Sequence, residues 1–189
     1  MRCGGPGPVA GHDLSVDGLL VLVNGLPGAG KTTLGGALSR SLNAWFLSKD
    51  VVKEALAGCL ENAFEVPELG GIAMDTVWAL AKESPADVVI DSWWLRPRDL
   101  ALARAGIEKT GARSVVEVWC DVPTEVARTR YASRQRAAIY RDQQRLAEDW
   151  DSWAAHAGPL GLAPTVMVDT TRTVDLANLA HQITALAGS

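Results

Sequence analysis

Residues 24–33 read Asn-Gly-Leu-Pro-Gly-Ala-Gly-Lys-Thr-Thr (NGLPGAGKTT), the most specific motif in the chain. From Gly25 to Thr32 it fits the pattern G-x-x-x-x-G-K-[ST], the Walker A or P-loop motif. An apolar run precedes the motif and a helical pattern follows it, which is the context that the motif requires. Glycines at these spacings allow successive backbone N–H groups to point inward at phosphate oxygens. The stretch therefore predicts a phosphate-binding loop between a buried strand and a helix.

The loop predicts a role for each of its residues. Lys31 is expected to reach the β- and γ-phosphates of ATP, and the Thr32 hydroxyl to bind Mg²⁺. The helix that begins near Gly30 adds its positive end to the site. We therefore expect the phosphates of a nucleoside triphosphate to be bound by Gly25, Pro27, Gly28, Ala29, Gly30, Lys31, Thr32 and Thr33.

The rest of the chain alternates short apolar runs with longer amphipathic stretches. The runs are rich in Val, Ile and Leu with little alternation, which is typical of parallel strands buried on both faces. The order predicts an α/β fold, a three-layer P-loop NTPase sandwich with about five parallel strands between helices and with a helical lid. The predicted strands are 19–24, 44–47, 87–90, 114–120 and 165–168, and the predicted helices are 30–42, 50–61, 68–83, 97–110, 123–150 and 173–187.

The composition is that of an ordinary globular domain. Of the 189 residues, 48% are hydrophobic and 21% are charged, and the net charge of -4 argues against a general binder of nucleic acids or membrane surfaces. No apolar run approaches the roughly 20 residues that cross a bilayer. Three cysteines without metal-ligand spacing favour reduced thiols and a cytoplasmic protein. We expect a flexible leader over 1–18 and one kinase domain over 19–189.

Acidic residues follow the second and third predicted strands, at the edge of a parallel sheet where ligands bind. Asp50 opens a helix, so it is either an N-cap or a general base that accepts a hydroxyl proton. Lys53, one turn later on the same face, is a candidate for binding a negative group of the acceptor or the γ-phosphate. Asp91 stands at the Walker B position and is either a turn residue or a second Mg²⁺ ligand beside Thr32.

The residues after Asp91 refine this prediction. Ser92 stands where ATP-driven machines usually carry a glutamate that activates water, which weighs against a hydrolysis motor. Trp93 and Trp94 are either core residues or an apolar wall for the acceptor.

An arginine-rich stretch follows the fourth predicted strand, "RTRYASRQRAAIYRDQQR", over 128–145. Arg130 and Arg134 are spaced i, i+4 and are expected to share one helix face, while Arg136 lies off it. The stretch is either a solvated basic helix or a lid, roughly 128–150, whose guanidinium groups stabilise a transferring phosphoryl group.

The motifs "GLPGAGKTT", "SKDVVKEAL", "VVIDSWW" and "RYASRQR" together resemble small P-loop kinases of the polynucleotide kinase, zeta toxin and chloramphenicol phosphotransferase-like group. The resemblance implies a five-stranded parallel sheet with a lid, and it spans about 19–187. It implies that Asp50 is the general base, that Lys53 contacts substrate, and that Arg130, Arg134 and Arg136 are lid arginines. Substrates across that group include nucleic-acid ends, activated amino sugars and antibiotics.

These observations predict a kinase that moves the γ-phosphate of Mg-ATP to a hydroxyl of a small molecule. Asp50, Lys31, Arg130 and Arg134 are the predicted catalytic residues, and Lys53, Trp93, Trp94 and Arg136 are the predicted acceptor contacts. A polynucleotide 5′-hydroxyl kinase and a zeta-toxin-like amino-sugar kinase are the alternatives within the class. A regulatory GTPase is disfavoured because the guanine-reading N/T-K-x-D motif is absent.

Overall fold

The computed structural model describes residues 18–188. The predicted leader over 1–18 lies outside the described residues apart from Gly18. Five strands form one sheet in the order β2-β3-β1-β4-β5, and every neighbouring pair is parallel. The strands are β1 (Leu19–Asn24), β2 (Trp45–Ser48), β3 (Val88–Asp91), β4 (Ser114–Asp121) and β5 (Thr165–Asp169). The predicted P-loop NTPase fold is confirmed.

Eight α-helices connect and cover the strands within the described residues. They are α1 (Lys31–Leu42), α2 (Lys49–Gly58), α3 (Leu69–Lys82), α4 (Arg96–Thr110), α5 (Thr124–Ala132), α6 (Asp142–Glu148), α7 (Trp150–His156) and α8 (Leu176–Ala187). Short 3₁₀ turns stand at Ala63–Glu65 and Ala138–Tyr140. Among the helices described, none is long and apolar enough to cross a membrane.

The central strand β1 contributes side chains to both faces of the sheet, and helices pack on each face to give three layers. All six of its residues are buried, and alternate side chains point to opposite faces of the sheet. Leu19, Val21 and Val23 belong to the core cluster that includes residues of α1, α5, α7 and α8. Leu20 and Leu22 belong to the second cluster, with residues of α3 and α4. Each face of the sheet is thereby covered by helices, as the apolar strand pattern predicts.

The single helix expected over 123–150 is wrong. The structure divides that stretch into α5, a loop with one 3₁₀ turn, and the short helices α6 and α7. Arg141 adopts a positive φ of 51°, a conformation that interrupts a right-handed helix. Asp149 is the boundary between α6 and α7. The break allows this segment to bend back over the carboxyl edge of the sheet.

The register of the sheet aligns the ends of β1, β2 and β3. Ser48 pairs with Asp91, and Asp91 pairs with Val23, so these three strands end at one level. The residues that follow each strand therefore meet at one edge. In a parallel α/β sheet this edge holds the ligand site.

Candidate active site

The loop between β1 and α1 is folded by its glycines. Gly25, Gly28 and Gly30 all have positive φ, at 148°, 92° and 86°. At Gly28 space is also limiting, because a Cβ there would lie 2.1 Å from the carbonyl oxygen of Ala127 on α5. Only glycine fits that position without displacing α5, so the packing of α5 restricts the conformation of the loop.

The first turn of α1 carries the remaining loop residues. No side chain caps its backbone N–H groups among the described residues, and Gly30 is the N-cap residue. These N–H groups and the helix dipole favour an anion at this point. Thr32 and Thr33 are exposed in this turn, directly after the loop that holds the other predicted phosphate-binding residues.

Lys31 curls back over the loop. Its Nζ donates to the carbonyl oxygens of Gly25 at 2.8 Å and Leu26 at 2.9 Å. Burial lowers the pKa of Lys31 to about 8, although Cys120 and Asp91 act to raise it. The ammonium group is thus held in a poorly solvated position beside the loop, where a phosphate would favour its charged form.

Thr32 and Asp91 form the second polar pair of the site. The Thr32 hydroxyl donates to Asp91 Oδ2 at 2.5 Å, which joins α1 to the end of β3. Asp91 is 4% exposed, and its Oδ1 has no hydrogen-bond partner among the described residues. Burial raises the pKa of Asp91, and the hydrogen bond from Thr32 opposes that rise.

This pair fits a magnesium ion. Mg²⁺ prefers carboxylate, hydroxyl and water oxygens and is usually bound by one or two protein groups together with substrate phosphates. The unpartnered Oδ1 of Asp91 is an oxygen of that kind beside the Thr32 hydroxyl. The described residues hold no cluster of three or more His, Cys, Asp or Glu side chains that could bind a metal ion.

One cavity of about 460 Å³ lies in front of these residues. It extends from the P-loop across α2 and the start of α3 to the segment over 131–153. Most of the sequence-predicted site residues line it, namely Pro27, Lys31, Thr32, Asp50, Lys53, Asp91, Trp93, Trp94, Arg134 and Arg136. Residues predicted separately from four strand ends therefore meet around one space.

Asp50 is tied to the segment over 136–142. Arg136 Nη1 donates to Asp50 Oδ2 at 2.8 Å, and the same guanidinium binds Asp142 through Nε and Nη2. Tyr140 donates its hydroxyl to the Asp50 carbonyl oxygen at 3.0 Å, and its ring lies 4.0 Å from Arg136 Cζ. Asp50 is in the first turn of α2 but is not its N-cap residue, which is Ser48. The N-cap alternative for Asp50 is therefore wrong.

The expectation that Arg130 and Arg134 share a helix face is also wrong, because α5 ends at Ala132. Arg134 lies beyond the helix end and lines the cavity. Burial, followed by the charge of Arg136, lowers the pKa of Arg134. Arg130 instead donates from Nη1 to the carbonyl oxygen of Thr170 at 3.3 Å. Thr170 in turn donates to Ala29, so Arg130 approaches the P-loop from its other side.

The two tryptophans after β3 differ in environment. Trp94 is 3% exposed and stacks on Trp78, with ring centroids 6.1 Å apart. Trp93 packs against Trp119 and Trp153, and Lys31 Nζ lies 5.9 Å from its ring centroid. Both line the cavity, so their core role and a contact with an acceptor are compatible.

This P-loop geometry agrees with a family match over residues 20–160, about three quarters of the chain, to a family described as AAA domain. The chain belongs to the AAA domain family. No curated protein matches it. Many solved structures match this AAA domain protein, and the similar ones include several small kinases.

Three of these structures illustrate the likeness. A protein from Chloroflexus aurantiacus that is described as a kinase is 21% identical, with a TM-score of 0.70 and coverage of 90% of this chain and 98% of its own. The Mycobacterium tuberculosis APS kinase CysC, in complex with AMPPNP and APS, is 19% identical, with a TM-score of 0.62 and coverage of 92% and 99%. Shikimate kinase from Bacteroides thetaiotaomicron is 18% identical, with a TM-score of 0.57 and coverage of 90% and 99%. At these identities the likeness shows the fold.

Sequence reasoning missed part of the cavity of this AAA domain. Lys49, Tyr140, Asp142 and Arg145 all line it, as do Arg98 and Asp99. The signal for Lys49 was available, since it directly follows β2 at the ligand edge. Arg145 and Arg98 resemble solvated surface residues in sequence, and only the folding of the chain brings them to the cavity.

A buried polar network behind the site was also missed. Glu117, 1% exposed in the middle of β4, accepts hydrogen bonds from Asn24, Leu160 and Gly161. Asn24 at the end of β1 also bonds to the backbone N–H and carbonyl groups of Trp94. A charged residue within the apolar run "SVVEVWC" was the signal. The network holds the segment after β3 against β1, directly beside the P-loop.

A second groove, of about 770 Å³, lies between the end of α2 and the 135–139 segment. Arg136 and Glu54 line it together with the exposed side chains of Leu60 and Phe64. It contains no P-loop residue and neither Asp50 nor Asp91, so the smaller cavity is the candidate active site.

Proposed function

We propose that the protein is an Mg-ATP-dependent phosphotransferase that moves the γ-phosphate to a hydroxyl group of a small molecule. The observation that carries the proposal is the position of Asp50. Its carboxylate lines the same cavity as Lys31, Thr32 and Asp91, with Ser92 directly after Asp91. Asp50 is thus a candidate for the base that removes a proton from the acceptor hydroxyl. Position 92, where a water-activating enzyme usually carries a carboxylate, holds a serine.

In this proposal the P-loop binds the triphosphate. Backbone N–H groups from 28–33 and the Lys31 ammonium group would hold the β- and γ-phosphates. Thr32 and Asp91 would hold Mg²⁺, which when bound neutralises phosphate charge and orients the γ-phosphate. Three contacts support this proposal: Lys31 donates to the carbonyl oxygens of Gly25 and Leu26, and Thr32 donates to Asp91.

Asp50 is proposed to accept the proton of the attacking hydroxyl. The acceptor oxygen would bind within hydrogen-bond reach of the carboxylate and on the far side of the γ-phosphate from its leaving group. Arg136 would have to share or release Asp50 Oδ2 when the acceptor hydroxyl binds, because the two donors compete for that oxygen. Asp142 can retain Arg136 during this exchange, since it holds two guanidinium nitrogens.

The segment over 128–150 is proposed to act as the lid. Arg134 lines the cavity and forms no ion pair with the described residues, so its guanidinium is available to the transferring phosphoryl group. Arg130 is proposed as a second phosphate-binding arginine, which would require it to leave Thr170. Exclusion of water by the lid would suppress hydrolysis.

The size of the cavity favours a small acceptor. About 460 Å³ lies within the range of pockets that enclose single small molecules. Lys53, Trp93, Trp94 and Arg136 are the proposed acceptor contacts. The narrower likeness to polynucleotide kinases, zeta toxins and chloramphenicol phosphotransferases is consistent with this reading, and a nucleic-acid end is the less favoured acceptor because the net charge is -4.

A transfer assay tests the proposal. The full chain is incubated with Mg-ATP and panels of sugars, nucleosides, antibiotics and other metabolites, and products are measured by mass spectrometry. We expect at least one hydroxyl compound to gain a phosphoryl group. Hydrolysis of ATP without any phosphorylated product across the panels would contradict the proposal.

With an acceptor in hand, Asp50→Asn tests the base. The amide cannot accept the hydroxyl proton, so we expect transfer to fall by about 10²–10⁴-fold while binding of a non-hydrolysable ATP analogue is retained. Asp151→Asn, at an exposed acid on α7, is the matched control and should leave both unchanged. Wild-type transfer by Asp50→Asn would remove Asp50 from the mechanism.

A further inference from the structure

Three cations gather on the α2 and α6 side of the candidate active site. Lys49 and Lys53 on α2 and Arg145 on α6 all line the cavity. They are close enough to influence one another: Lys49 and Arg145 both act to lower the pKa of Lys53, and Arg145 acts to lower that of Lys49. In each lysine burial is the larger cause of the lowered pKa.

Nearby carboxylates offset part of these charges: Asp50 and Asp99 act to raise the pKa of Lys49, and Asp50 acts to raise that of Lys53. Both carboxylates are also bound by arginines. Asp50 is engaged by Arg136, and Asp99 is engaged by Arg98 through two contacts of 2.7 Å and by the Leu95 N–H. Lys49 and Lys53 have no ion pair with any described residue, and Arg145 reaches Asp149 only at 4.0 Å. Lys53 lies over the Tyr140 ring at 4.6 Å from its centroid, which restricts its position without neutralising it.

Lys49 lies beside the first turn of α3, which lines the same end of the cavity. A Cβ placed on Gly70 would lie 3.8 Å from Lys49 Nζ, so this ammonium group approaches the first turn of α3. Gly70 and Gly71 both line the cavity, and a Cβ placed on Gly71 would lie 3.7 Å from Glu68 Oε2. The carboxylate of Glu68 also lines this end, but it is not among the main influences on the pKa of Lys49.

We propose that Lys49, Lys53 and Arg145 form a binding site for an anionic group of the acceptor, so that the substrate is an alcohol that carries a phosphate, sulfate or carboxylate. This inference rests on the proposed function for its account of the acceptor. The three cations would bind the anionic group, and the acceptor hydroxyl would reach Asp50. The apolar side chains of Met74, Trp78 and Leu102 line the same cavity and would contact the body of the molecule.

An anion-binding measurement tests the site independently of catalysis. The full chain is first saturated with Mg²⁺ and the non-hydrolysable nucleotide AMPPNP, so that the P-loop is filled, and inorganic sulfate is then titrated by calorimetry. We expect the wild type to bind sulfate and Lys49→Gln and Arg145→Gln each to weaken binding by about ten- to a hundredfold, as for a lost hydrogen bond to a charged group.

Controls separate this effect from general charge and from misfolding. Lys82→Gln and Arg104→Gln remove exposed cations elsewhere and should bind sulfate as the wild type does. Lys49→Arg preserves the charge and should retain binding. Wild-type sulfate affinity in both Lys49→Gln and Arg145→Gln, or no sulfate binding by the nucleotide-saturated wild type, would overturn the proposal.

A transfer assay with matched acceptors completes the test. Each alcohol is compared with a derivative of the same skeleton that carries a phosphate, a sulfate or a carboxylate. We expect the wild type to transfer phosphate faster to the derivatives with one of these anionic groups than to the matched neutral alcohols. For those derivatives we expect Lys49→Gln and Arg145→Gln to raise KM about tenfold or more with a smaller change in kcat. Equal transfer to the neutral partners would overturn the anionic site but leave the proposed function standing. Absence of transfer to every acceptor would count against the proposed function. The sulfate titration would still test whether Lys49, Lys53 and Arg145 bind an anion, because it does not depend on catalysis.

Discussion

The buried ammonium group of Lys31 is expected to have opposite effects on the stability of the folded protein and on its affinity for a nucleotide. Burial of its ammonium group disfavours the charged form, and two carbonyl oxygens from Gly25 and Leu26 only partly replace water. A phosphate beside the loop would instead favour that charged form. We therefore expect Lys31 to lower the stability of the nucleotide-free protein and, in the proposed function, to raise its affinity for the nucleotide.

The substitution Lys31→Met tests this conflict. The folded-state pKa of Lys31, about 8, lies below the ordinary value of 10.5, so the burial cost is fully present below pH 8. It disappears as the pH rises from about 8 to 10.5, because the folded state then releases the proton before the unfolded state does. At pH 7, without nucleotide, we expect Lys31→Met to raise the free energy of unfolding by about 1–2 kcal/mol.

Urea unfolding at several pH values measures that difference. The advantage of Lys31→Met over the wild type should narrow between pH 8 and 10.5. Lys82→Met, at an exposed position of α3, is the control and should show no such pH dependence. A variant less stable than the wild type at pH 7 would show that the two carbonyl contacts outweigh burial.

At the scale of elements, the contact between α3 and α4 depends on Gly106. A Cβ on Gly106 would lie 2.1 Å from Cε2 of Trp78, and Trp78 stacks on Trp94 at the cavity. An alanine at a helix interior gains about 1 kcal/mol over glycine, but overpacking a core costs about 1–3 kcal/mol. The Trp78 ring is large and buried, so it cannot move away from an added Cβ at little cost. We therefore expect the cost of overpacking to exceed the gain in helix propensity.

We therefore expect Gly106→Ala to lower the free energy of unfolding by about 1–2 kcal/mol and to disturb the Trp94 side of the cavity. Chemical denaturation and tryptophan fluorescence measure the two effects. Gly36→Ala on α1 is the matched control, because its Cβ would lie at an ordinary 3.6 Å from Phe46. That change should be neutral or stabilising, and a neutral Gly106→Ala would contradict the packing argument.

The broken arginine segment separates the roles of two arginines. Arg134, beyond the end of α5, lines the cavity, whereas Arg130 donates to Thr170. We expect Arg134→Gln to reduce phosphoryl transfer by about 10²-fold or more, as for arginines that stabilise a transferring phosphoryl group. Arg130→Gln should lose less than about tenfold.

Transfer kinetics on the acceptor found by screening measure both variants. Arg128→Gln, at an exposed arginine on α5, serves as the control for charge on this segment. A greater loss for Arg130→Gln than for Arg134→Gln would reverse the assignment and would require the lid to rearrange when it closes.

In the molecule as a whole, the sign of the net charge differs from that of the cavity lining. The net charge is -4, yet seven lysines and arginines and five acidic residues line the candidate active site. The negative net charge disfavours binding of polyanions, while the excess of basic residues in the cavity is compatible with a small anionic ligand. This contrast supports a nucleotide and a small acceptor as the ligands of the site.

Nucleotide binding should be visible in global stability. A ligand that binds only the folded state at about 100 times its dissociation constant stabilises it by about 2.7 kcal/mol. We expect Mg²⁺ with AMPPNP to raise Tm by several degrees, and Lys31→Met to abolish most of that rise. Equal stabilisation of both proteins would place the nucleotide outside the P-loop.

Much of the fold and part of the site could be predicted from local pattern. The P-loop, Asp50 and Asp91 were accessible because each directly follows a strand with an unambiguous apolar pattern, and parallel strands end at one edge. The break at Arg141 was not accessible, since a positive φ in an otherwise helical pattern is fixed by tertiary contacts of Tyr140 and Asp142. The contact of Arg130 with Thr170 joins residues 40 apart in sequence and could not be derived from spacing.

The amino-acid sequence alone was enough to predict the parallel α/β fold, the glycine-rich loop after β1 and the two acidic residues that follow β2 and β3. These features depend on local backbone chemistry: glycines that adopt positive φ, a helix that begins after them, and apolar strands that must be buried. The folded structure was needed to show which cations reach the cavity and which acidic residues already bind an arginine. Those outcomes depend on the bend of the chain over 133–149 and on competition among groups far apart in sequence, and local pattern contains neither.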